Sequence, residues 1–439
     1  MPFARFMELA LYCPVYGYYE TEKDRLGKHG DFYTSVSAGS LFGQLLAFRF
    51  AEWLAQERGV PSAECGIEKA AGGLCQIVEA GAHDGRLAAD ILRWLRSRRP
   101  QLFARLEYWI VEPSARREEW QRETLKDFAP RVRWFASLRA ILQNRLAAKT
   151  SDFGLRTSDF SGICGVIFCN ELLDAMPVRR FGWDAKQRAW FEWGVAVQDG
   201  RFVWMRMTGP GHWFTNNEPL TRPADTLPMN LEPQTAPSPQ PSPPMGERVA
   251  SGRVRGAFDM APFNIKLPDE LLNVLPDGFT IETSPAAENW WREAAQVLER
   301  GRLMTLDYGL TADELFQPGR TGGTLRAYHR HHLSVNVLAN AGEQDITAHV
   351  NFAAIQAAGE AAGLRTEEFT SQAQFLTRIA GRTWQNPVAF GEWTPGQTRQ
   401  FQTLTHPEHL GRAFRVLVQA RNSPDRDEAR GQDTGRCNS

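Results

Sequence analysis

No CxxC pair occurs among the six cysteines (Cys13, Cys65, Cys75, Cys164, Cys169 and Cys437). That excludes a zinc ribbon or a dithiol redox centre, and buried free thiols in a reducing cytoplasm are expected. No run reaches 18 apolar residues, so no membrane-spanning helix is expected. Neither sign of charge is in surplus: 50 basic and 51 acidic residues leave −1 over 439 residues. No global field therefore draws the chain to nucleic acid or to an anionic membrane. The opening Met-Pro-Phe-Ala-Arg-Phe-Met-Glu has no basic start followed by an apolar core, so no secretory signal is read there. A GxGxxG turn is missing too, and with it the usual cradle for a dinucleotide pyrophosphate.

Strand signals are present at 75–80, 107–112, 131–135, 164–169 and 303–308. Helical patterns at 85–97 and 115–127 separate the early ones, and a strong amphipathic helix is expected over about Gly39–Gln56. Strands alternating with helices predict an α/β fold with a parallel sheet and right-handed crossovers. Residues 180–207 alternate instead as short runs around Asp199-Gly200, which predicts antiparallel hairpins. Residues 228–256 hold seven prolines and no aromatic residue, a composition that cannot bury enough surface to order itself. A helix near 286–300 leads back into the α/β pattern, and the tail from 422 is polar.

The first strand runs through Ile77-Val78-Glu79-Ala80-Gly81-Ala82-His83-Asp84-Gly85 into a helix, and the second ends at Glu112, 33 residues after Glu79. Strand, glycine turn, helix, strand and acid is the layout of a nucleoside site at the head of a parallel sheet. Glu112 is the expected ribose acceptor. Gly81 to Gly85 are expected to receive a carboxylate with their backbone N–H groups. Without a pyrophosphate cradle, the leading ligand is S-adenosylmethionine. An ordinary strand-to-helix turn with a solvated strand-end acid is the competing reading.

The fourth strand ends in Asn170-Glu171-Leu172-Leu173-Asp174, where an open α/β sheet places its ligands. Glu171 and Asp174 share one face if this turn is helical. Two carboxylates there suit a cationic acceptor such as a guanidinium and can receive its proton. Capping of a helix by Asn170 accounts for the same residues equally well. Asp307-Tyr308-Gly309 closes the next strand and is expected to face the same crevice. Asp345 and His349, four apart at an expected helix start, could form an acid–base pair or a structural cap. The cluster His329-Arg330-His331-His332 lacks zinc spacing and an accompanying carboxylate set, so no metal is assigned.

Several motifs together resemble one known family. They are Phe6-Met7, Gly17-Tyr18-Tyr19, Gly30-Asp31-Phe32-Tyr33-Thr34, Asn170 to Val178, Asp307-Tyr308-Gly309, Gly323 to Tyr328, Asp345 to Phe352 and Gln374-Phe375-Leu376. In their order along the chain they resemble the MidA-like class I methyltransferases, whose mitochondrial members assist assembly of respiratory complex I. The resemblance implies a Rossmann-like seven-stranded sheet with an N-terminal helical extension and an inserted antiparallel lobe. It also implies S-adenosylmethionine as cofactor and methyl transfer to a protein arginine, on a target such as a complex I subunit. By that likeness Gly81, Glu112 and the loop from Asn170 through Glu171 to Asp174 carry cofactor and acceptor contacts, and Gly30 and Asp31 close over the cofactor; the residues read above add Glu79 and Gly85 to the cofactor site and His349 to the chemistry.

The organisation expected is an extension over 1–60 closing on the cofactor, and a cofactor domain in two parts, 61–178 and 301–421. Between those parts lies a lobe over 179–300, and a tail follows at 422–439. A cytoplasmic protein is expected, and the oligomeric state is open, a homodimer included. The family turn is usually Glu-x-Gly-x-Gly-x-Gly, whereas here the second glycine is His83, and Asp84 after it puts a negative charge where the donor's carboxylate is expected, so that a shifted cofactor pose or weakened binding is one reading. An assembly protein without turnover and a small-molecule methyltransferase are the alternative functions.

Overall fold

The computed structural model describes residues 1–21, 34–56, 75–150, 162–207, 269–329, 332–334, 336–407 and 410–421, the side chains of 145–150 excepted. Gly30, Asp31, the proline-rich stretch 228–256 and the tail lie outside the described residues.

Strands β1 (Cys75–Ala80), β2 (Leu106–Val111), β3 (Val132–Phe135) and β4 (Ile163–Asn170) form one half of the central sheet. Next in the chain come β5 (Arg179–Asp184), β6 (Ala189–Gln198), β7 (Arg201–Arg206) and β8 (Thr280–Thr283), then β9 (Leu298–Leu310). The remainder are β10 (Arg326–His329), β11 (His332–Ser334), β12 (Asp345–Thr347), β13 (Val350–Asn351), β14 (Arg365–Ser371) and β15 (Phe414–Arg421).

The central sheet is ordered β3-β2-β1-β4-β9-β15-β14, with β13 appended beside β9. The pairs β1–β2, β1–β4, β2–β3 and β4–β9 are parallel, and β15 runs antiparallel to both its neighbours. These seven strands are the sheet the motifs led one to expect. Residues alternate between its faces: Cys75 and Ile77 join the core under helices Leu41–Gln56 and Arg86–Arg98, while Val78 and Ala80 meet helices Pro285–Val297 and Phe352–Ala361. Burial on both faces explains why β1 reads as a mostly apolar run, broken only by Gln76 and Glu79, both of them buried.

Strands β7-β6-β5-β8 form an antiparallel sheet of their own. Its hairpin turns at Asp199 (φ 50°) and Gly200 (φ 71°), the two left-handed residues that a tight hairpin needs. The helix Phe3–Tyr12 buries Phe3, Phe6, Met7, Ala10 and Leu11 at helical spacing. These side chains pack with Val195 of β6 and with Ile346 and Ala348. No helix among the described residues is long and apolar enough to cross a membrane.

Two local expectations are corrected. Asp345 does not start a helix: Asp345–Thr347 is β12, paired with β10 through Tyr328↔Asp345 and Arg326↔Thr347. The helix begins at Phe352, where the Asn351 side chain accepts from the Ala354 N–H. The stretch after Asn170 is likewise a turn, with Glu171 at φ 52°, and neither a helix nor a capped helix start.

Candidate functional site

The order of the sheet reverses between β1 and β4, and ligands of open α/β sheets sit at such a switch point. Ala80 pairs with Cys169, so the turn after β1 and the turn after β4 emerge side by side. Two adjoining cavities open there. The larger, about 400 Å3, is lined by residues including Tyr19, Gly81, Glu112, Glu171, Asp174 and Asp345. The smaller, about 90 Å3, reaches Glu79, Asp84 and Asn170. Thr34, Gly81, His83 and Glu171 line both.

The glycine turn is built from left-handed residues: Gly81 (φ 75°), His83 (φ 47°) and Gly85 (φ 82°). A Cβ at Gly81 would lie 3.0 Å from Leu172 Cδ1, which is why the two turns can nest. Gly85 lines neither cavity; it packs against Gln121 and Leu125 and opens the helix Arg86–Arg98. His83 occupies a backbone conformation that favours glycine, which accounts for the family's glycine at this position. The charge of Asp84 is spoken for. Arg86 Nε lies 2.5 Å from Asp84 Oδ2 and the Arg86 N–H donates to Oδ1 at 3.2 Å. Burial pushes this carboxyl up, but His83 and Arg86 outweigh it and hold it at about 2.

Glu79 is buried and accepts the Tyr108 hydroxyl at 2.5 Å. Burial dominates and lifts it to about 7. Glu112, at the end of β2, is also buried, and its carboxyl is raised by burial in spite of Arg117. Its Oε1 accepts the Ser114 N–H (3.0 Å) and faces Arg117 Nη2 (3.2 Å), and Oε2 accepts Gln121 Nε2 (2.9 Å). Gln121 donates also to the His83 carbonyl (3.0 Å), so one buried side chain ties the glycine turn to the strand-end acid.

Across the cleft, Asn170 Nδ2 donates to Glu171 Oε1 (2.9 Å), while Asn170 Oδ1 is buried without a partner. Glu171 Oε1 also accepts the Ser35 N–H at 3.1 Å, and burial lifts this carboxyl to about 8. Asp174 is pushed well up by burial and by the carboxylates of Asp307, Asp345 and Glu171. Asp345 accepts the Tyr19 hydroxyl at 2.7 Å.

Asp307 is fully buried and does not line either cavity. It lies behind the turn, its Oδ2 accepting the N–H groups of Leu172 (3.1 Å), Leu173 (2.8 Å) and Asp174 (3.4 Å). His349 is not brought to the cleft. In β12 alternate residues share a face, so Asp345 and Thr347 line the large cavity. His349 instead lines a separate cavity of about 20 Å3 with Glu282 and Thr283. Its ring is held down to about 4 by burial and by Arg326 and Arg320.

The site thus gathers Glu79, Gly81, Glu112, Asn170, Glu171 and Asp174, and leaves Gly85 and His349 aside. Tyr19, Arg117, Gln121 and Asp307 complete it. Only Tyr19 and Asp307 sat in motifs singled out from the sequence; Arg117 and Gln121 lie in a mostly polar helix, where nothing distinguishes an inward-facing side chain from a solvated one.

Residues 65–370 match the family described as "Putative S-adenosyl-L-methionine-dependent methyltransferase". A crystal structure from Burkholderia thailandensis bound to S-adenosyl-homocysteine is similar over 96% of this chain and 88% of its own, with a TM-score of 0.67 and 28% identity. The protein arginine methyltransferase NDUFAF7, mitochondrial, of Danio rerio is 41% identical over 91 residues, 20% of this chain. Its Drosophila melanogaster homolog is 27% identical over 187 residues, 41% of this chain. These matches span 18% and 38% of the two relatives' lengths. The match over most of the chain, together with the seven-stranded sheet, establishes that the protein belongs to the S-adenosyl-L-methionine-dependent methyltransferase family that its motifs resemble, the MidA-like family.

Proposed function

We propose that the protein transfers a methyl group from S-adenosylmethionine to an arginine side chain of a protein. A target such as a respiratory complex I subunit is suggested by the family resemblance. The observation that carries this reading is the single cleft that joins Gly81 and Glu112 to the carboxyl groups of Glu171, Asp174 and Asp345.

The residues present fit the cofactor. Asn170 Oδ1 is a buried acceptor with no partner, suited to an ammonium group. The open backbone at Gly81 suits a carboxylate, and the pairing of Asp84 with Arg86 removes the repulsion that the sequence suggested. Glu112, lining the cavity, is suited to a ribose diol, and Val111, Pro113 and Leu138 supply apolar wall beside it. When bound, the cofactor supplies a sulfonium methyl group for in-line transfer.

The chain's own residues then hold the acceptor. Burial raises the carboxyl groups of Glu171 and Asp174, and for Asp174 the neighbouring carboxylates add to the rise. A guanidinium bound between them favours their ionised form, and paired carboxylate oxygens fix its plane. Glu171, ionised beside the guanidinium, is suited to take the proton released as the new N–C bond forms.

Relatives named protein arginine methyltransferases support the same acceptor. Transfer from labelled S-adenosylmethionine into an extract lacking the protein tests the reading. Glu171→Gln is expected to lower transfer by about a hundredfold, the usual worth of a proton acceptor, while S-adenosylhomocysteine binding measured by calorimetry persists. Full transfer by this variant contradicts the role given to Glu171.

A further inference from the structure

Glu112 has more partners than a ribose clamp can keep. Ser114 N–H and Arg117 share Oε1, and Gln121 occupies Oε2. A carboxylate offers about four lone-pair directions, and a ribose diol requires two. The Ser114 amide belongs to the same tight turn. Gln121 is fixed at both ends, since Nε2 also binds the His83 carbonyl and Oε1 accepts Trp134 Nε1 at 2.9 Å. Arg117 is the partner able to leave. Its Nη2 already lies 3.5 Å from Glu20 Oε1, and its buried Nε has no hydrogen-bond partner.

Glu20 lines neither cavity; it belongs to the turn of helix Tyr18–Thr21. Its Oε2 accepts the Ser114 hydroxyl at 2.7 Å, and Arg116 donates to its carbonyl. Its neighbour Tyr19 reaches Asp345 at the opposite end of the cleft. The segment therefore spans from the strand-end acid to the carboxylate cluster.

We propose that Arg117 is a positioning residue that moves between two carboxylates, paired with Glu112 in the free protein and with Glu20 when a ribose diol occupies Glu112. The exchange fastens Tyr18–Thr21 over the cleft and holds Tyr19 against Asp345, so cofactor binding organises the acceptor end. This rests on Glu112 being the ribose acid. The same nitrogen makes both contacts, so a small rotation of the guanidinium completes the exchange. By linkage, whatever fastens the segment also tightens cofactor binding by the same factor.

Calorimetry with S-adenosylhomocysteine on the full chain tests the exchange. Glu20→Gln keeps an acceptor for Ser114 but removes the receiving charge, and affinity is expected to fall about five- to tenfold, the size of one partly buried charged contact. In an Arg117→Met background the same substitution is expected to change affinity by less than about twofold. Arg117→Lys, which retains the charge, is expected to restore part of the dependence on Glu20. Equal losses in the wild-type and Arg117→Met backgrounds, or no loss in either, overturn the exchange and leave the ribose assignment standing. A Glu112→Gln variant that binds like wild type removes the ribose assignment itself. Hydrogen exchange on the unsubstituted protein is an independent arm. S-adenosylhomocysteine is expected to slow exchange of the Glu20 amide, which donates to the Gly17 carbonyl at 2.9 Å, and unchanged exchange contradicts the proposal.

Discussion

His83 shows what a single residue can reveal and conceal. From the sequence it stood out as a histidine where the family has glycine, and a negative charge beside it suggested a damaged cofactor turn. The structure gives the reason for the glycine, a φ of 47°, and relieves the charge through Arg86. A Cβ in the left-handed region costs about 1–2 kcal/mol, and the turn tolerates it because Gln121 binds the His83 carbonyl. His83→Ala keeps that strain and His83→Gly relieves it. The glycine variant is therefore expected to be more stable than the alanine variant by about 1 kcal/mol, less what glycine's extra freedom costs in the unfolded chain. Denaturant titration of the two variants measures the difference, and an alanine variant as stable as the glycine variant rules out backbone strain. Gln121 itself was not legible, because a glutamine in a helix of Arg, Glu and Thr carries no mark of facing inward. Glu79, Gly81 and Glu112 were legible, because a buried strand that ends in a polar residue is unusual wherever it occurs.

At the scale of elements, the turns at the strand ends were legible by position and misread in form. Asn170 to Asp174 was placed correctly at the head of β4, but its shape comes from Asp307, 133 residues further along, whose carboxylate gathers three consecutive N–H groups. Local sequence does not encode a turn held from that distance. The strand β12 was taken for a helix start because its three residues were read by themselves, whereas pairing with β10 decides their conformation.

These turns also set the pH response. Glu79 and Glu171 are raised to about 7 and about 8, chiefly by burial. A folded value above the unfolded one gives a contribution fully present below the unfolded value of 4.5. It is lost as pH rises through 7 to 8, at up to about 1.4 kcal/mol per pH unit for each group. Asp84 acts in the opposite sense: its value of about 2 lies below the usual 3.8, so its contribution is present above 3.8 and lost as pH falls toward 2. Urea denaturation is therefore expected to show stability falling between pH 5 and 8, and Glu79→Gln is expected to flatten that slope. An unchanged slope in this variant contradicts the assignment.

For the whole molecule, the sheet was the most legible feature, because parallel strands buried on both faces are mostly apolar and must be joined by crossovers. The antiparallel lobe was legible from its alternation and from Asp199-Gly200. What linear order hid is that the first 21 residues reach both ends of the cleft, through Glu20 to Arg117 and through Tyr19 to Asp345. The glycine turn with Glu112 and the carboxyl groups of Glu171, Asp174 and Asp345 therefore share one space, the first as the proposed cofactor end and the second as the proposed acceptor end, and one segment touches both. A protein arginine is proposed to occupy that acceptor end. The most direct measurement is to incubate the protein with methyl-labelled S-adenosylmethionine and a protein extract, then locate the label by mass spectrometry. The expected result is label on guanidinium nitrogens of arginine, lost with Glu171→Gln; label confined to small molecules or to side chains other than arginine contradicts the account.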